Sequence, residues 1–235
     1  MNQKRLAHAM RICAVIPSFN SEKTIARVVR GAIEHADRVV VVNDGSTDRT
    51  AVLAEKAGAR VLGTGRNRGK GHALGVAFRY VLGQAFDAAV TLDADLQHDP
   101  QAIPDFVNRH RQTGADLIIG NRMHHKEAIP GVRYVPNLIG CRCFSWLTGQ
   151  VIEDSQCGFR FYHRRLLASL PMLCNGFEAE SDLLLRAGSR GFKIDFIPIA
   201  VIYPNGNGHT SFYRPVRDTY DICINFLKNW FQKNR

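Results

Sequence analysis

The fold is decided by one stretch, Val90-Thr-Leu-Asp-Ala-Asp-Leu-Gln-His-Asp-Pro100, where an apolar run ends abruptly in carboxylates. The consecutive apolar residues 88–92 predict a buried strand. Alternate residues of an extended segment point to the same side, so Asp93, Asp95 and Gln97 can project together. In open α/β sheets the ligand crevice lies at the carboxyl ends of the strands. The stretch therefore predicts a central strand that ends in a binding site.

Three oxygen ligands at this spacing suit a hard cation, Mg²⁺ or Mn²⁺, which proteins usually hold with one or two carboxylates and with substrate phosphates. The alternative is a surface turn with helix-capping acids, and Asp99-Pro100 does have the pattern of an N-cap followed by proline. Capping accounts for Asp99 but not for the two acids that directly end a buried strand. The metal interpretation is therefore preferred.

Apolar runs alternate with helical patterns along much of the chain. The runs are residues 12–17, 38–43, 60–63, 88–92 and 115–120. This alternation predicts an α/β fold with a mostly parallel, Rossmann-like sheet and helices on both faces. A basic stretch without periodicity, residues 123–136, predicts a mobile loop before a helix at 137–147, and late strands are expected at 193–198 and 201–203. No linker or repeat divides the chain, so we expect one domain over residues 1–235, with a flexible tail at 1–11.

Composition limits the partners and the compartment. The 31 basic and 21 acidic residues give a net charge of +10, which suits nucleotide diphosphates, nucleic acid or an anionic membrane face. No apolar window approaches a membrane span and no signal-peptide core follows the N-terminus, so a cytoplasmic protein is expected. The six cysteines lack metal-site spacing and are expected to be reduced thiols.

Two basic segments have open interpretations. The loop 63–71 precedes a helical pattern and is similar to a phosphate-binding loop, but Gly71 replaces the Ser or Thr that a P-loop has after its lysine, so ATPase chemistry is not expected. The loop either attracts a phosphate or is an ordinary basic loop. Residues 205–235 form a basic amphipathic segment with Trp230 and Phe231 near its end. It can lie on a membrane surface or pack on the sheet.

Five motifs occur in the order found in the inverting family 2 glycosyltransferases, and the chain resembles that family. They are Val15-Ile-Pro-Ser-Phe-Asn20, Val41-Val-Asn-Asp-Gly-Ser-Thr-Asp48, Asn67-Arg-Gly-Lys-Gly71, Leu92-Asp-Ala-Asp-Leu-Gln-His98 and Asp154-Ser-Gln-Cys-Gly-Phe-Arg160. Any one of them is a weak signal, whereas five in order are specific. The branch most similar is that of the dolichyl-phosphate and polyprenyl-phosphate sugar (mannose) synthases.

The resemblance implies an A-type glycosyltransferase fold and transfer of a sugar from a GDP- or UDP-sugar donor. By the same likeness, the donor-binding residues would be Pro17, Phe19, Glu22, Asp44, Lys70, Asp93 and Ala94. The divalent cation would be held by Asp93, Asp95 and Gln97. An acceptor phosphate would meet Arg122 and Arg133. The catalytic group would be Asp95, Asp154 and Arg160, with Arg160 shaping the acceptor side.

The acceptor remains open between two chemistries. A sugar hydroxyl must lose a proton, which requires a general base, and Asp154 or Glu153 is the candidate. A lipid phosphate is already an anion and needs no base, and the basic residues between Arg122 and Arg133 favour it. Such an acceptor implies peripheral contact with the cytoplasmic face of a membrane. From another class, the chain could be a non-catalytic basic module that binds nucleotides or a membrane; no motif for nucleic acid is present.

Overall fold

The structure is a computed structural model that describes residues 10–124, 131–176 and 178–200, with the backbone alone for 131–133. Seven strands form one sheet in this part of the chain: β1 (Ile12–Ser18), β2 (Arg38–Asn43), β3 (Arg60–Gly63), β4 (Ala88–Thr91), β5 (Leu117–Asn121), β6 (Arg160–His163) and β7 (Ile194–Pro198). Their order is β3-β2-β1-β4-β6-β5-β7. The strand that precedes the carboxylates, β4, is the middle one, as the sequence predicted.

Seven α-helices accompany the sheet in the described residues. They are α1 (Ile25–Ile33), α2 (Thr50–Lys56), α3 (Lys70–Gly83), α4 (Ile103–Thr113), α5 (Gly131–Thr148), α6 (Arg164–Ser169) and α7 (Ala179–Ser189). Residues Ile12 to Ile16 of β1 and all of β4 are buried. Because successive residues of a strand point to opposite faces, such runs require cover on both faces. The expected α/β architecture is confirmed.

The sheet is mixed. Strand pairs β1–β2, β1–β4, β2–β3 and β5–β7 are parallel, whereas β6 runs antiparallel to both β4 and β5. The reversal places the start of β6 beside the end of β4, with Arg160 paired to Thr91. The Thr91 hydroxyl also donates to the carbonyl of Gly158 at 2.8 Å. As a result, the segment 154–160 lies next to the carboxylates that follow β4.

Helix α5 departs from the sequence expectation. It begins at Gly131 and contains Pro136, so the loop predicted for 123–136 and the helix start predicted at 137 are wrong over residues 131–136. The loop was predicted because residues 123–136 are basic and show no clear periodicity, and Pro136 lacks a backbone donor that a helix interior would use. Residues 125–130 lie outside the described part of the chain.

Several expectations concern residues that the structure does not describe: the tail at 1–11 apart from residues 10 and 11, the strand at 201–203 and the C-terminal segment 205–235. The single-domain boundaries therefore stay a prediction. The late strand at 193–198 is confirmed as β7, and it lies at the edge of the sheet, where its terminal Pro198 lacks a donor at little cost. Among the described helices, none has the length and apolarity needed to cross a membrane.

Candidate active site

The site is built around Asp93, two residues after β4. Its Oδ1 lies 2.7 Å from the ammonium nitrogen of Lys70, the first residue of α3. The same ammonium lies 2.7 Å from Oε2 of Glu180 on α7. The ring nitrogen Nε2 of His98 is 3.8 Å from Oδ2 of Asp93. One lysine thus bridges two carboxylates, and a buried histidine closes the other side.

The charges of this cluster follow from burial and proximity. Burial alone would raise the pKa of Asp93, but the Lys70 ammonium holds that pKa below its ordinary value. Burial lowers the pKa of His98 to about 4, despite the nearby Asp93 carboxylate. His98 is therefore neutral near pH 7, and its contact with Asp93 is not an ion pair there. The site presents an ionised carboxylate whose partner is a lysine.

Residues 94–96 form a turn, so the extended segment expected after β4 is wrong, and this turn carries the other proposed ligands. Leu96 has φ of 65°, which is uncommon for a residue with a side chain, and the backbone N–H of Gln97 donates to Oδ1 of Asp95 at 3.0 Å. Such strain persists where the surroundings hold it, often at binding sites. Asp99 accepts from the N–H of Gln101 at 3.0 Å before the 3₁₀ turn 100–102, so its predicted capping role is confirmed.

The donor set fits a cation shared with a substrate. The described residues contain no group of three or more His, Cys, Asp or Glu side chains arranged to hold a metal ion. Asp93, Asp95 and Gln97 offer two carboxylates and one amide on one turn, which is the sparse oxygen set that Mg²⁺ and Mn²⁺ accept when phosphates complete the coordination. The residues present therefore fit a cation that arrives with a diphosphate.

Gly158 brings the 154–160 segment onto the Lys70–Asp93 pair. A Cβ at this position would lie 2.5 Å from Oδ2 of Asp93 and 2.8 Å from Nζ of Lys70. Only glycine allows the backbone to approach these two charged groups so closely. Two motifs that begin 62 residues apart in the sequence, at Leu92 and Asp154, therefore form one wall of the site.

Backbone hydrogen bonds join the start of α3 to the segment before α7. The N–H of Gly71 donates to the carbonyl of Gly176, and the N–H of His72 donates to that of Asn175, each at 3.2 Å. A Cβ on Gly71 would collide with the 174–179 segment, and Gly69 meets the same segment with φ of 95°. The two glycines therefore let α3 and the 174–180 segment meet, and that contact sets the position of Lys70 relative to Glu180.

The carboxylate of Asp44 is hydrogen-bonded to the basic loop 63–71. Its carboxylate accepts from the hydroxyl of Thr64 at 2.8 Å and from the backbone N–H groups of Arg68 and Gly69 at 3.1 and 2.7 Å. These N–H groups are the ones that a phosphate would otherwise bind. The Asp44 carboxylate therefore takes the place of such an anion and stabilises the loop conformation. Its predicted contact with the donor base stays a prediction.

The other predicted donor residues lie along neighbouring strand ends. Pro17 is half-buried near the end of β1, Phe19 is half-buried just beyond it, and Ala94 is buried behind Asp93. Ser18 of β1 pairs with Asn43 of β2, so these residues and Asp44 share one edge of the sheet. Glu22 accepts instead from the backbone N–H and Nε of Arg49 at 3.3 and 3.2 Å. Its role at the nucleoside stays a prediction.

Asp154 is fully buried and saturated with donors. Its carboxylate accepts from Nε and Nη2 of Arg122 at 2.7 and 2.9 Å, from the Asn137 amide at 2.9 Å, and from the N–H groups of Gln156 and Cys157 at 3.0 and 3.1 Å. Burial would raise its pKa, but the Arg122 charge and these hydrogen bonds lower it. A carboxylate so stabilised in its charged form is a poor proton acceptor.

Arg160 is buried and faces inward. Its guanidinium donates to the carbonyls of Ser155, Cys157 and Glu180 at 2.8, 2.6 and 2.8 Å. It therefore holds the 154–160 segment against α7. Its expected catalytic role on the acceptor side stays a prediction. Arg133 lies on the first turn of α5, four residues before Asn137, and its side chain is outside the described atoms.

Sequence reasoning missed three residues of this site. Glu180, His98 and Asn137 contact Asp93, Lys70 or Asp154 but were not among the candidates. Glu180 follows the start of a helix, where acids are common for dipole reasons alone. The sequence offered no signal that distinguished it from an ordinary acid of a first helical turn.

The sheet places acids at the carboxyl end of its middle strand, where open α/β sheets bind their ligands. The family model described as "Glycosyl transferase family 2" matches residues 13–171, more than half of the chain, and the chain belongs to this family. The expected A-type glycosyltransferase fold is confirmed by solved structures. Glucosyl-3-phosphoglycerate synthase from Mycobacterium tuberculosis, in complex with phosphoglyceric acid, superposes with a TM-score of 0.74 at 24% identity, covering 92% of this chain and 80% of that one.

Two named relatives are similar over most of their length. A dolichyl-phosphate hexose transferase of Haloferax volcanii is 32% identical over 192 residues, which are 80% of this chain and 81% of the relative. An undecaprenyl-phosphate mannosyltransferase of Micrococcus luteus is 27% identical over 212 residues, covering 82% and 84%. The resemblance to the branch of polyprenyl-phosphate sugar transferases is thereby confirmed.

Proposed function

We propose that this glycosyltransferase moves a sugar, with inversion, from a nucleotide diphosphate donor to a polyprenyl or dolichyl phosphate. The observation that carries the proposal is the state of Asp154. A hydroxyl acceptor needs a base, and Asp154, the first of the two carboxylates expected for that role, is buried, bidentate to Arg122 and held in its charged form. The other, Glu153, accepts from the side-chain amide of Asn121. A phosphate acceptor reacts without a base.

The donor side is assigned to the strand end. Asp93, Asp95 and Gln97 would hold Mg²⁺ or Mn²⁺ together with the diphosphate of a GDP- or UDP-sugar. The bound cation would stabilise the negative charge that develops on the leaving diphosphate. Lys70 keeps Asp93 ionised and in place, and the backbone at Gly158 limits the space above the pair. Solved glucosyl-3-phosphoglycerate synthase with Mg²⁺ and UDP, at 25% identity and a TM-score of 0.70, supports this assignment.

The acceptor side is assigned to Arg122 and Arg133. Arg122 lies just after β5, and its side chain is 17% exposed, so it combines an anchor on Asp154 with access to the site. Arg133 stands one helical turn before Asn137, which also binds Asp154. Asp154 thereby fixes the two elements that carry these arginines, and guanidinium groups suit phosphate recognition.

A lipid phosphate acceptor lies in a membrane, so the proposed transfer takes place at a membrane surface. We assign the protein to the cytoplasm with peripheral contact at the cytoplasmic face. The net charge of +10 and the similarity to relatives named for polyprenyl-phosphate acceptors support this. The basic amphipathic segment 205–235 is the candidate contact in the sequence.

Paired acceptors test the proposal. Purified protein is incubated with Mn²⁺, a panel of UDP- and GDP-sugars, and either undecaprenyl phosphate or undecaprenol of equal chain length in detergent. Transfer to the phosphate and not to the alcohol is expected, because the alcohol requires a base. Transfer to the alcohol, or to glycan hydroxyls alone, would overturn the acceptor assignment.

A second measurement separates an enzyme from a non-catalytic basic module. Thermal unfolding is followed with UDP or GDP, with and without Mn²⁺, and with a polyanion such as heparin. Stabilisation by a nucleotide only when the metal is present supports the enzyme. Equal stabilisation by any polyanion would favour the module.

A further inference from the structure

The Lys70 ammonium is paired with two carboxylates, although one carboxylate would balance its charge. It lies 2.7 Å from both Asp93 and Glu180, so the three side chains together carry a net charge of −1 when all are ionised. A single carboxylate would neutralise a buried lysine, and a second buried acid adds a desolvation cost. Glu180 therefore adds a cost that neutralising Lys70 alone does not explain.

The two carboxylates differ in access. The side chain of Asp93 is 31% exposed, whereas that of Glu180 is 8% exposed and that of Lys70 is 13% exposed. A ligand entering from solvent reaches Asp93 but not Glu180. Lys70 thus has one accessible partner, which a ligand can engage, and one sheltered partner, which it cannot.

Glu180 is held in place independently of Lys70. Its backbone carbonyl accepts from Nη1 of Arg160 at 2.8 Å, and Nε of Arg160 lies 3.9 Å from Oε1 of the carboxylate. The segment before it is hydrogen-bonded to the first turn of α3 through Gly71 and His72. Glu180 can therefore retain Lys70 without help from Asp93.

We propose that Glu180 is a positioning residue, the counter-ion that retains Lys70 when Asp93 engages a divalent cation. This inference rests on the proposed function. A divalent cation at Asp93 repels an ammonium at the same oxygens, and a buried ammonium that loses its only partner is strongly destabilised. With Glu180 present, Lys70 gives up Asp93 and stays paired. Without Glu180, Lys70 would stay paired with Asp93 and compete with the cation for its carboxylate.

The test is a Mn²⁺ titration in the presence of UDP or GDP, with free Mn²⁺ measured by electron paramagnetic resonance. Glu180→Gln keeps the size of the side chain and removes its charge. We expect the dissociation constant for Mn²⁺ to increase by roughly tenfold or more. The double variant Lys70→Met/Glu180→Gln removes the competing ammonium as well, so its affinity for Mn²⁺ should equal that of Lys70→Met alone.

Asp182→Asn is the matched control. It removes one carboxylate from the same helix, where Asp182 pairs with Arg186 and not with Lys70, and its Mn²⁺ affinity should equal that of the wild type. The inference is overturned if Glu180→Gln binds Mn²⁺ as tightly as the wild type, if Asp182→Asn loses as much affinity, or if the double variant binds Mn²⁺ more weakly than Lys70→Met alone. A wild-type protein that binds no Mn²⁺ with either nucleotide would overturn the proposed function as well.

Discussion

Arg122 and Asp154 form a bidentate ion pair, with Nε 2.7 Å from Oδ2 and Nη2 2.9 Å from Oδ1. The pair joins the end of β5 to the segment that leads into β6, and Asn137 adds α5 to the same carboxylate. Three elements of the proposed acceptor side thus meet at one buried oxygen pair. This makes Asp154 a structural centre of the site.

Asp154→Asn should therefore destabilise the protein rather than remove a base. Loss of the charge leaves Arg122 without its partner, and breaking such a pair costs about 3 to 5 kcal/mol. Urea unfolding at pH 7 measures the change. The control is Asp195→Asn, whose partner Arg109 is 41% exposed, so that its cost should stay within about 1 kcal/mol. Equal stability of wild type and Asp154→Asn, with transfer abolished, would instead indicate a general base.

Protonation of Asp154 should lower the stability of the protein in acid. The Arg122 charge holds the pKa of Asp154 below its ordinary value although burial alone would raise it. The stabilisation is then fully present above the pKa of an unfolded aspartate, about 4, and is lost as the pH falls through the lower folded pKa. Unfolding free energies between pH 7 and pH 2.5 should decline less steeply for Asp154→Asn. Parallel curves would contradict this assignment.

Asp95→Asn should abolish transfer and leave the fold intact. The substitution removes one of the two carboxylates offered to the cation, and the expected loss of turnover is at least about a hundredfold. Initial rates with saturating Mn²⁺ and thermal unfolding are the measurements. Asp99→Asn serves as the control, since asparagine caps a helix as well as aspartate does. An active Asp95→Asn enzyme would remove the metal role of this residue.

Gly158→Ala should disrupt the Lys70–Asp93 pair. The added methyl would meet both charged ends at once, and overpacking of this kind costs roughly 1 to 3 kcal/mol. UDP or GDP with Mn²⁺ should also raise the thermal unfolding temperature of Gly158→Ala by less than that of the wild type. Gly83→Ala, at the end of α3 with nothing within 4 Å of the added methyl, is the matched control: it should not lower the stability and should leave nucleotide protection unchanged. Unaltered nucleotide protection in Gly158→Ala would argue against a close approach at this glycine.

Local sequence signals predicted the elements with one clear exception. Runs such as 38–43 and 88–92 are strands because continuous apolar residues need cover on both faces, and both were found as β2 and β4. Helix α5 was predicted to begin late because Pro136 and the basic residues before it resembled a loop. A helix tolerates one lost backbone donor when its other residues continue the turn, and the local pattern does not reveal this.

The sequence by itself determined the class of fold, the central strand and the acids that end it, since burial and side-chain alternation depend on residues close in the chain. Tertiary structure alone decided which distant groups meet: Lys70 with Glu180, Arg122 with Asp154, and Gly158 with Asp93. The reversal of β6 brings the last two together. Pairings between groups tens of residues apart depend on the register and direction of strands, which side-chain periodicity does not encode.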